Sequence, residues 1–250
     1  MIDPHVQLAR RDGVLWIEFA RRDKKNCLST AMYAAVCDAL NEAAADPAVR
    51  VAVLRGQEDM FTAGNDLNDF RTPGARAAGQ GKRFLETIAS FPKPLLAAVG
   101  GLAIGVGTTM LLHCDMVIAA EGTRFRLPFV PLGVCPEAAS SLLLPLMAGP
   151  RLASELLLLG DDFTAQTARE AGIVNRVVPP EALMATVEAL ALRLAAMPTD
   201  AVVTTKALMK GPAGRTVRGV IEEERPHFER LVQSPEAQAA FAAFFERKTR

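Results

Sequence analysis

Short apolar runs separated by polar turns open the chain, and longer stretches with helical spacing follow. "VQLARRDGVLWIEFA" is two β-type runs around Arg11-Asp12-Gly13, which predicts a hairpin. In "STAMYAAVCDALNEAAADP" the residues Met32, Val36, Ala39, Leu40 and Ala43 share one face. Ser29 stands as N-cap and Pro47 lies past the end, so a helix is expected. "VAVLRG" is of the short buried-strand type and leads into the polar loop "QEDMFTAGNDLNDF". A helix-like stretch runs to Phe91; then "KPLLAAVGG" reads as strand, "IGVGTTMLLHC" as helix and "DMVIAA" as strand. Such alternation predicts an α/β fold of stacked β and α units with largely parallel pairing.

From about Pro136 the pattern turns helical. "RLASELLLLG" and "TAQTAREAG" are examples, the second with Thr164 as N-cap and Gly172 as C-terminal stop. "IVNRVVPP" is a short extended run. The tail, Pro180 to Arg250, alternates apolar faces with Lys and Arg. Its end, "AAFAAFFERK", carries Phe241, Phe244 and Phe245, which either cap the core of the same chain or reach a neighbouring subunit. The expected division is a core domain over 1–195 and a C-terminal helical region over 196–250 used in packing or trimerisation. No internal repeat or low-complexity linker interrupts it.

Composition narrows the class. Half of the 250 residues are hydrophobic and 22% are charged, so the chain is globular with a sizeable core. Lys plus Arg equals Asp plus Glu at 28 each, which gives no strong field for nucleic acid or an anionic membrane. The start, "MIDPHVQLARRDG", lacks the apolar region of a secretory signal, and no run approaches the roughly 18 apolar residues of a membrane span. Cys27, Cys37, Cys114 and Cys135 have no CxxC spacing and no histidine at metal spacing. Buried reduced thiols and a cytoplasmic location are the expectation.

Three stretches carry candidate chemistry. "FTAGNDL" follows a strand, and its Gly-Asn pair permits unusual backbone angles that leave N–H groups pointing outward; a plain turn is the competing account. In "GGLAIGVGTTMLL", Gly105 and Gly107 open a helix whose first N–H groups lack intrahelical partners and suit a phosphate or a developing oxyanion. Close helix packing through glycine accounts for it equally well, and neither GxGxxG nor GK[ST] is present. In "RLPFVPLGVCPEAASSLLLP", Glu137 is the one acidic residue of an apolar segment. It is either an acid in the first turn of a helix begun by Pro136 or a partly buried general base. No GxSxG elbow exists, and His113 before Cys114-Asp115 reads as a packed or bonded side chain rather than a base.

Taken in order, "RRDKKNCLS", "FTAGNDL", the glycine motif, "PLGVCPEAASS" and "AREAGIVNRVVPPEAL" resemble the enoyl-CoA hydratase/isomerase (crotonase) superfamily over nearly the whole chain. The resemblance implies a crotonase fold: stacked β-β-α units forming a spiral core, with a C-terminal helical region. It implies an acyl-CoA thioester substrate and no cofactor or metal beyond the CoA carried by that substrate. It implies an oxyanion hole made by the backbone N–H groups of Asn65 and Val106. It also implies a CoA groove lined by Lys24, Lys25 and Cys27, and a thioester end lined by Ala63, Gly64, Asp66 and Leu67. The two glutamates of the family's hydratases fall here at Thr109 and Phe129, and neither side chain activates water. "GNDL", "TMLL" and "PE" before small residues are similar to the Δ3,Δ2-enoyl-CoA isomerase branch, whose base maps to Glu137. That branch implies transfer of a 3-enoyl-CoA double bond to the 2-position. A hydratase or other acyl-CoA-processing activity, or acyl-CoA binding without turnover, are the alternatives. Homotrimers or hexamers are expected, with the C-terminal helices near a neighbour's site. The loop "RTPGARAAGQGKR" is expected to form pocket wall.

Overall fold

The structure is a computed structural model that describes residues 3–57, 59–71 and 79–248. The first hairpin forms as expected: β1 (Val6–Arg11) pairs antiparallel with β2 (Val14–Phe19) through Asp12 and Gly13, both at positive φ, as a two-residue turn requires. Ser29 caps α1 (Thr30–Ala45) by accepting the Met32 N–H at 3.3 Å, and the expected face from Met32 to Ala43 is buried. Next come β3 (Val51–Arg55), the single turn α2 (Asn68–Arg71), α3 (Gln80–Ser90), β4 (Leu95–Val99) and β5 (Leu102–Ile104).

The expected helix after Gly105 is only α4 (Val106–Thr109), continued by a 3₁₀ turn to His113. There the Thr108 hydroxyl bonds back to the Ala103 carbonyl at 2.6 Å, and the chain must return as strand β6 (Met116–Ala120). Then follow β7 (Arg124–Arg126), α5 (Ser140–Ser154) with a π-helical turn at Glu155–Leu159, β8 (Asp162–Thr164), α6 (Ala165–Glu170) and β9 (Arg176–Val178). Thr164 and Gly172 bound α6 as expected. The helices α7 (Leu183–Ala195), α8 (Thr199–Val232) and α9 (Pro235–Lys248) close the chain.

One sheet runs β1-β2-β3-β4-β6-β9, parallel apart from the hairpin, and a second runs β5-β7-β8. Both faces of the large sheet are covered, which explains why its strands read as unbroken apolar runs. Leu15, Ile17, Ala52, Leu54, Leu95 and Ala97 face the main core with α1 and α3, while Val14, Trp16, Val51, Val53 and Leu96 face α7. The C-terminal helices join the main core through Val217, Ile221, Phe228, Val232 and Phe241. Of the tail phenylalanines, Phe241 is therefore a core residue of its own chain, whereas Phe244 is exposed.

Two expectations need correction. By length and composition the stretch Ser140–Leu159 is apolar enough to span a membrane. Its backbone, however, leaves the helical path at Gly149 (φ 75°, ψ 160°) between Pro145 and Pro150, and Leu144, Ala153 and Leu156 are packed into the core. Four free thiols are present, but only Cys37 is fully buried. The Cys114 residue is partly covered, but its thiol end is buried, and that burial pushes the thiol up to about 12 and keeps it protonated.

A partly buried charge cluster, with Lys206 as its buried member, ties α8 to the sheet. Asp115 accepts the Leu95 N–H at 2.7 Å and pairs with Lys206 at 2.6 Å, while Lys210 reaches the same carboxylate at 3.4 Å. Replacing Asp115 with Asn keeps an acceptor for Leu95 but leaves Lys206 buried beside a neutral group. Urea unfolding should show Asp115→Asn losing roughly 3–5 kcal/mol; a loss below about 1 kcal/mol would make the pair a surface-like contact.

Candidate active site

Three loops meet beside β5, and backbone pairing brings them there. Thr62 and Ala103 form a parallel bridge, with Thr62 N–H donating to Leu102 O (3.1 Å) and Ile104 N–H to Thr62 O (3.1 Å). Leu28 and Asn65 form another, with Leu28 N–H donating to Gly64 O (2.7 Å) and Asp66 N–H to Leu28 O (2.9 Å). Buried Asn26 secures this knot by donating to the Met60 and Phe61 carbonyls. At the crossing the approach is too close for any side chain. A Cβ on Gly64 (φ 88°) would stand 2.4 Å from the Ile104 carbonyl oxygen, and one on Gly107 would stand 2.6 Å from Thr62 Cγ2. These glycines serve approach between backbones, so the plain-turn account of "FTAGNDL" is incomplete.

The pairing leaves two amides over. Among the described residues, neither the Asn65 nor the Val106 N–H donates to a backbone carbonyl, and both residues line one cavity of about 270 Å³. That cavity also takes in Tyr33, Phe84, Phe228, Glu137 and Glu224. Leu28 and Asp66 contribute to its wall, whereas Lys24, Lys25, Cys27, Ala63, Gly64 and Leu67 do not line it. Lys24 and Lys25 are exposed, and the Lys25 carbonyl accepts the Ala63 N–H at 2.9 Å, so the basic segment borders the same knot. Asp66 is engaged by Arg21 at 2.7 Å and by Asn68. Burial works to raise its carboxyl, but those hydrogen bonds and the guanidinium charge outweigh burial and hold it below the usual range. Of the loop expected to form wall, Gly79, Gln80, Gly81 and Lys82 line the cavity, and residues 72–78 lie outside the described residues.

Glu137 is not in the first turn of a helix. Helix α5 begins only at Ser140, because Ala138 (φ 62°) and Ala139 (φ 53°) are both left-handed. For alanine that conformation costs about 1–2 kcal/mol per residue, so neighbours must hold it. His113 Nε2 donates to the Ala138 carbonyl at 2.8 Å, and the Ser140 hydroxyl donates to the Glu137 carbonyl at 2.6 Å. Glu224 of α8 accepts the Ala139 N–H at 2.7 Å, the Ser141 N–H at 3.3 Å and the Ser141 hydroxyl. Burial pushes the Glu224 carboxyl above its ordinary range although these hydrogen bonds work the other way. The half-buried Glu137 carboxylate receives the Asn65 Nδ2 donor at 3.4 Å, and Asn65 Oδ1 accepts the Tyr33 hydroxyl at 2.6 Å. Lys82 of α3 pairs with Glu222 of α8 at 2.6 Å, tying together two helices that wall the cavity. A carboxylate therefore faces a space that also holds two unspent amide donors, an arrangement suited to moving a proton beside a carbonyl.

A family model described as "Enoyl-CoA hydratase/isomerase" matches residues 9–250. The chain belongs to this family. It is 31% identical to the 2,3-dehydroadipyl-CoA hydratase of Escherichia coli, over 97% of this chain and 96% of that protein. It is 34% identical to the enoyl-CoA delta isomerase 2 of Rattus norvegicus over 94% of its own length, and spans 62% of that longer protein. The structure of OdaA from Pseudomonas aeruginosa superposes with a TM-score of 0.92 at 42% identity, covering 97% of this chain and 99% of that one. The α/β crotonase fold with C-terminal helices and an acyl-CoA-processing enzyme family are thus established.

Thr109 and Phe129, where the sequence resemblance puts the hydratase glutamates, are both buried. Sequence reasoning missed Tyr33, Glu224 and Phe228. Tyr33 is the only tyrosine of the chain, but on the page it is one more residue of a buried helix face. Glu224 sits in "EEER", which reads as a solvated helix face. Helix α8 lines the cavity of its own chain through Ile221, Glu224 and Phe228.

His113 gives this site a pH signature. Burial lowers its pKa to about 4, against the upward pull of its bond to Ala138. A histidine with a folded pKa below its unfolded value contributes stability that is present above about pH 6.5 and lost as pH falls toward 4. Unfolding free energies should therefore drop across that window in the native protein, and the drop should flatten in His113→Gln.

Proposed function

We propose that the enzyme shifts the double bond of a 3-enoyl-CoA to the 2-position, with Glu137 as its single acid/base. One observation carries this reading: the Glu137 carboxylate lies 3.4 Å from the Asn65 side chain in the cavity that also holds the unspent Asn65 and Val106 amides. Glu137 removes a proton from C2, and the electron pair of that C–H bond moves through the thioester carbon onto its oxygen. The resulting dienolate oxygen is met by the N–H groups of Asn65 and Val106, worth roughly 2.7–4 kcal/mol for each donor by comparison with measured oxyanion holes. Glu137, now protonated, returns the proton to C4, and the electrons settle as a C2–C3 double bond conjugated with the thioester. No water is added, so one carboxyl group suffices. Lys24, Lys25 and Cys27 border the CoA entrance, with Ala63, Gly64, Asp66 and Leu67 shaping the thioester end.

Hydration is the second reading, supported by Glu224 as another carboxylate of the same cavity and by the likeness to a hydratase. Against it, both Glu224 oxygens are taken by Ala139 and Ser141. Free thiols at all four cysteines support a reducing, cytoplasmic setting.

We also propose a homotrimer, single or stacked as a hexamer. Leu146, Met147, Leu158 and Leu159 are large apolar residues exposed on α5 and its π-helical turn, which a second copy would cover. Sedimentation should give a mass at a multiple of three chains, and Leu146→Asp with Leu158→Asp should dissociate it; a monomeric native protein would overturn the trimer.

The chemistry is tested with 3-hexenoyl-CoA, following absorbance of the conjugated thioester and resolving the products. Conversion to 2-hexenoyl-CoA that falls at least about 10²–10⁴-fold in Glu137→Gln is expected. A 3-hydroxyacyl product, or an unchanged rate in Glu137→Gln, would overturn the isomerase reading.

A further inference from the structure

We infer that the side chain of Asn65 is a positioning group for Glu137, locked in its own orientation by Tyr33. The inference rests on the reading of Glu137 as the acid/base. It assigns the side chain a task separate from that of the Asn65 backbone N–H.

The backbone on either side of Asn65 is fixed first. The Gly64 carbonyl and the Asp66 amide are both bonded to Leu28, so Asn65 has no freedom to slide along the loop. Its side chain then meets two neighbours of opposite demand. Tyr33 offers a hydroxyl at 2.6 Å from Oδ1, while Glu137 Oε1 stands 3.4 Å from Nδ2. An ionised carboxylate only accepts, so the NH₂ side of the amide must face Glu137 and the oxygen must face Tyr33. Reversing the amide would set two acceptors against each other at Glu137.

Tyr33 is itself held rigidly. Its ring is buried on α1 and packs against Phe84 of α3, with centroids 4.8 Å apart. The rigid helix pair thus orients the tyrosine hydroxyl, the hydroxyl orients the amide, and the amide holds one carboxylate oxygen. The acid/base must serve two carbons of one substrate, C2 and C4, without turning away between the steps. Because Asn65 also supplies an oxyanion donor from its backbone, the separation between base and oxyanion is set within a single residue. A misplacement of about 1 Å in such an arrangement costs on the order of 10²-fold in rate.

The experiment compares the native enzyme with Asn65→Ala, Tyr33→Phe, the double variant and Glu137→Gln. Two readouts are used: kcat and KM for 3-hexenoyl-CoA, and exchange of the C2 hydrogens of saturated hexanoyl-CoA in D₂O, which needs proton removal but no isomerisation. Asn65→Ala should lower both kcat and the exchange rate about ten- to hundredfold, with KM and thermal midpoint nearly unchanged, because the backbone donor remains. Tyr33→Phe keeps the ring and should lower the same rates by a smaller factor. That factor should vanish in the Asn65→Ala background if the hydroxyl's effect on these rates runs through Asn65, as the inference requires. Asn65→Asp keeps the shape and an acceptor for Tyr33 but removes the donor to Glu137. It should lose at least as much rate, and it takes the place of Asn65→Ala if that variant does not fold.

A full rate in Asn65→Ala or Asn65→Asp, with Glu137→Gln inactive, overturns this inference and leaves the acid/base reading standing. An equal Tyr33→Phe loss in both backgrounds overturns the lock. Exchange that survives Glu137→Gln overturns the role of Glu137 and this inference with it. Exchange that depends on Glu137 and Asn65 without any isomerised product upholds the inference and overturns only the isomerase reading.

Discussion

Everything at the cavity depends on how closely two backbones approach at Gly64. Its Cα sits so near the Ile104 carbonyl that a methyl group would lie 2.4 Å from that oxygen. Such contact admits only glycine, and it is what brings the loop after β3 beside the start of α4. A parallel bridge on each side then consumes the other polar groups of the crossing. Among the described residues, the amides of Asn65 and Val106 are left without a backbone carbonyl. Backbone N–H groups inside folded proteins are nearly always paired, and on the proposed reading the acceptor for this pair is the substrate's thioester oxygen.

A second constraint shapes the turn that carries Glu137. Two successive alanines in the left-handed region together cost about 2–4 kcal/mol. The chain keeps them there with bonds from separate directions: His113 from the 3₁₀ turn after α4, Ser140 from the start of α5 and Glu224 from α8. Ser140 is local, but the other two come from far along the chain, His113 being 25 residues from Ala138 and Glu224 85 residues from Ala139. Strain is retained because the surroundings over-determine it. Had the stretch been helical from Pro136, Glu137 would lie on α5 rather than on a coil segment aimed at Asn65.

The sequence made the scaffold legible where local chemistry decides the outcome. Asp12-Gly13, the Ser29 cap, the Thr164 cap and the apolar runs of β3, β4 and β6 all act within a few residues of themselves. The site was legible only as far as its motifs: Asn65, Val106 and Glu137 do come together on one cavity. The turn at Glu137 was hidden because alanine is the best helix former, and "PEAASS" reads as a helix start. Nothing local announces that Ala138 and Ala139 are held left-handed by groups arriving from α8 and the 3₁₀ turn. Tyr33 and Glu224 were hidden for the same reason, since their roles exist only between elements. The short α4 was misjudged because a hydroxyl returning to a carbonyl at 2.6 Å is invisible in an apolar pattern.

The same partition bears on which chemistry the cavity supports. On the proposed reading, a proton leaves C2 and arrives at C4 of one substrate, and water admitted to that space would compete for the dienolate. Several carboxylates line the cavity, yet most are spent on structure: Asp66 on Arg21, Asp69 on Thr30 and Glu224 on the turn. Each of these carboxylates already accepts hydrogen bonds that hold part of the wall. Glu137 differs in that its contact with Asn65 is to a neutral amide, which holds the carboxylate without competing for the proton it must carry. On the proposed reading, a base held by a neutral amide, in a wall whose other acids are largely bonded, supports moving a proton over adding water. That preference follows from how the polar groups are divided rather than from how many are present.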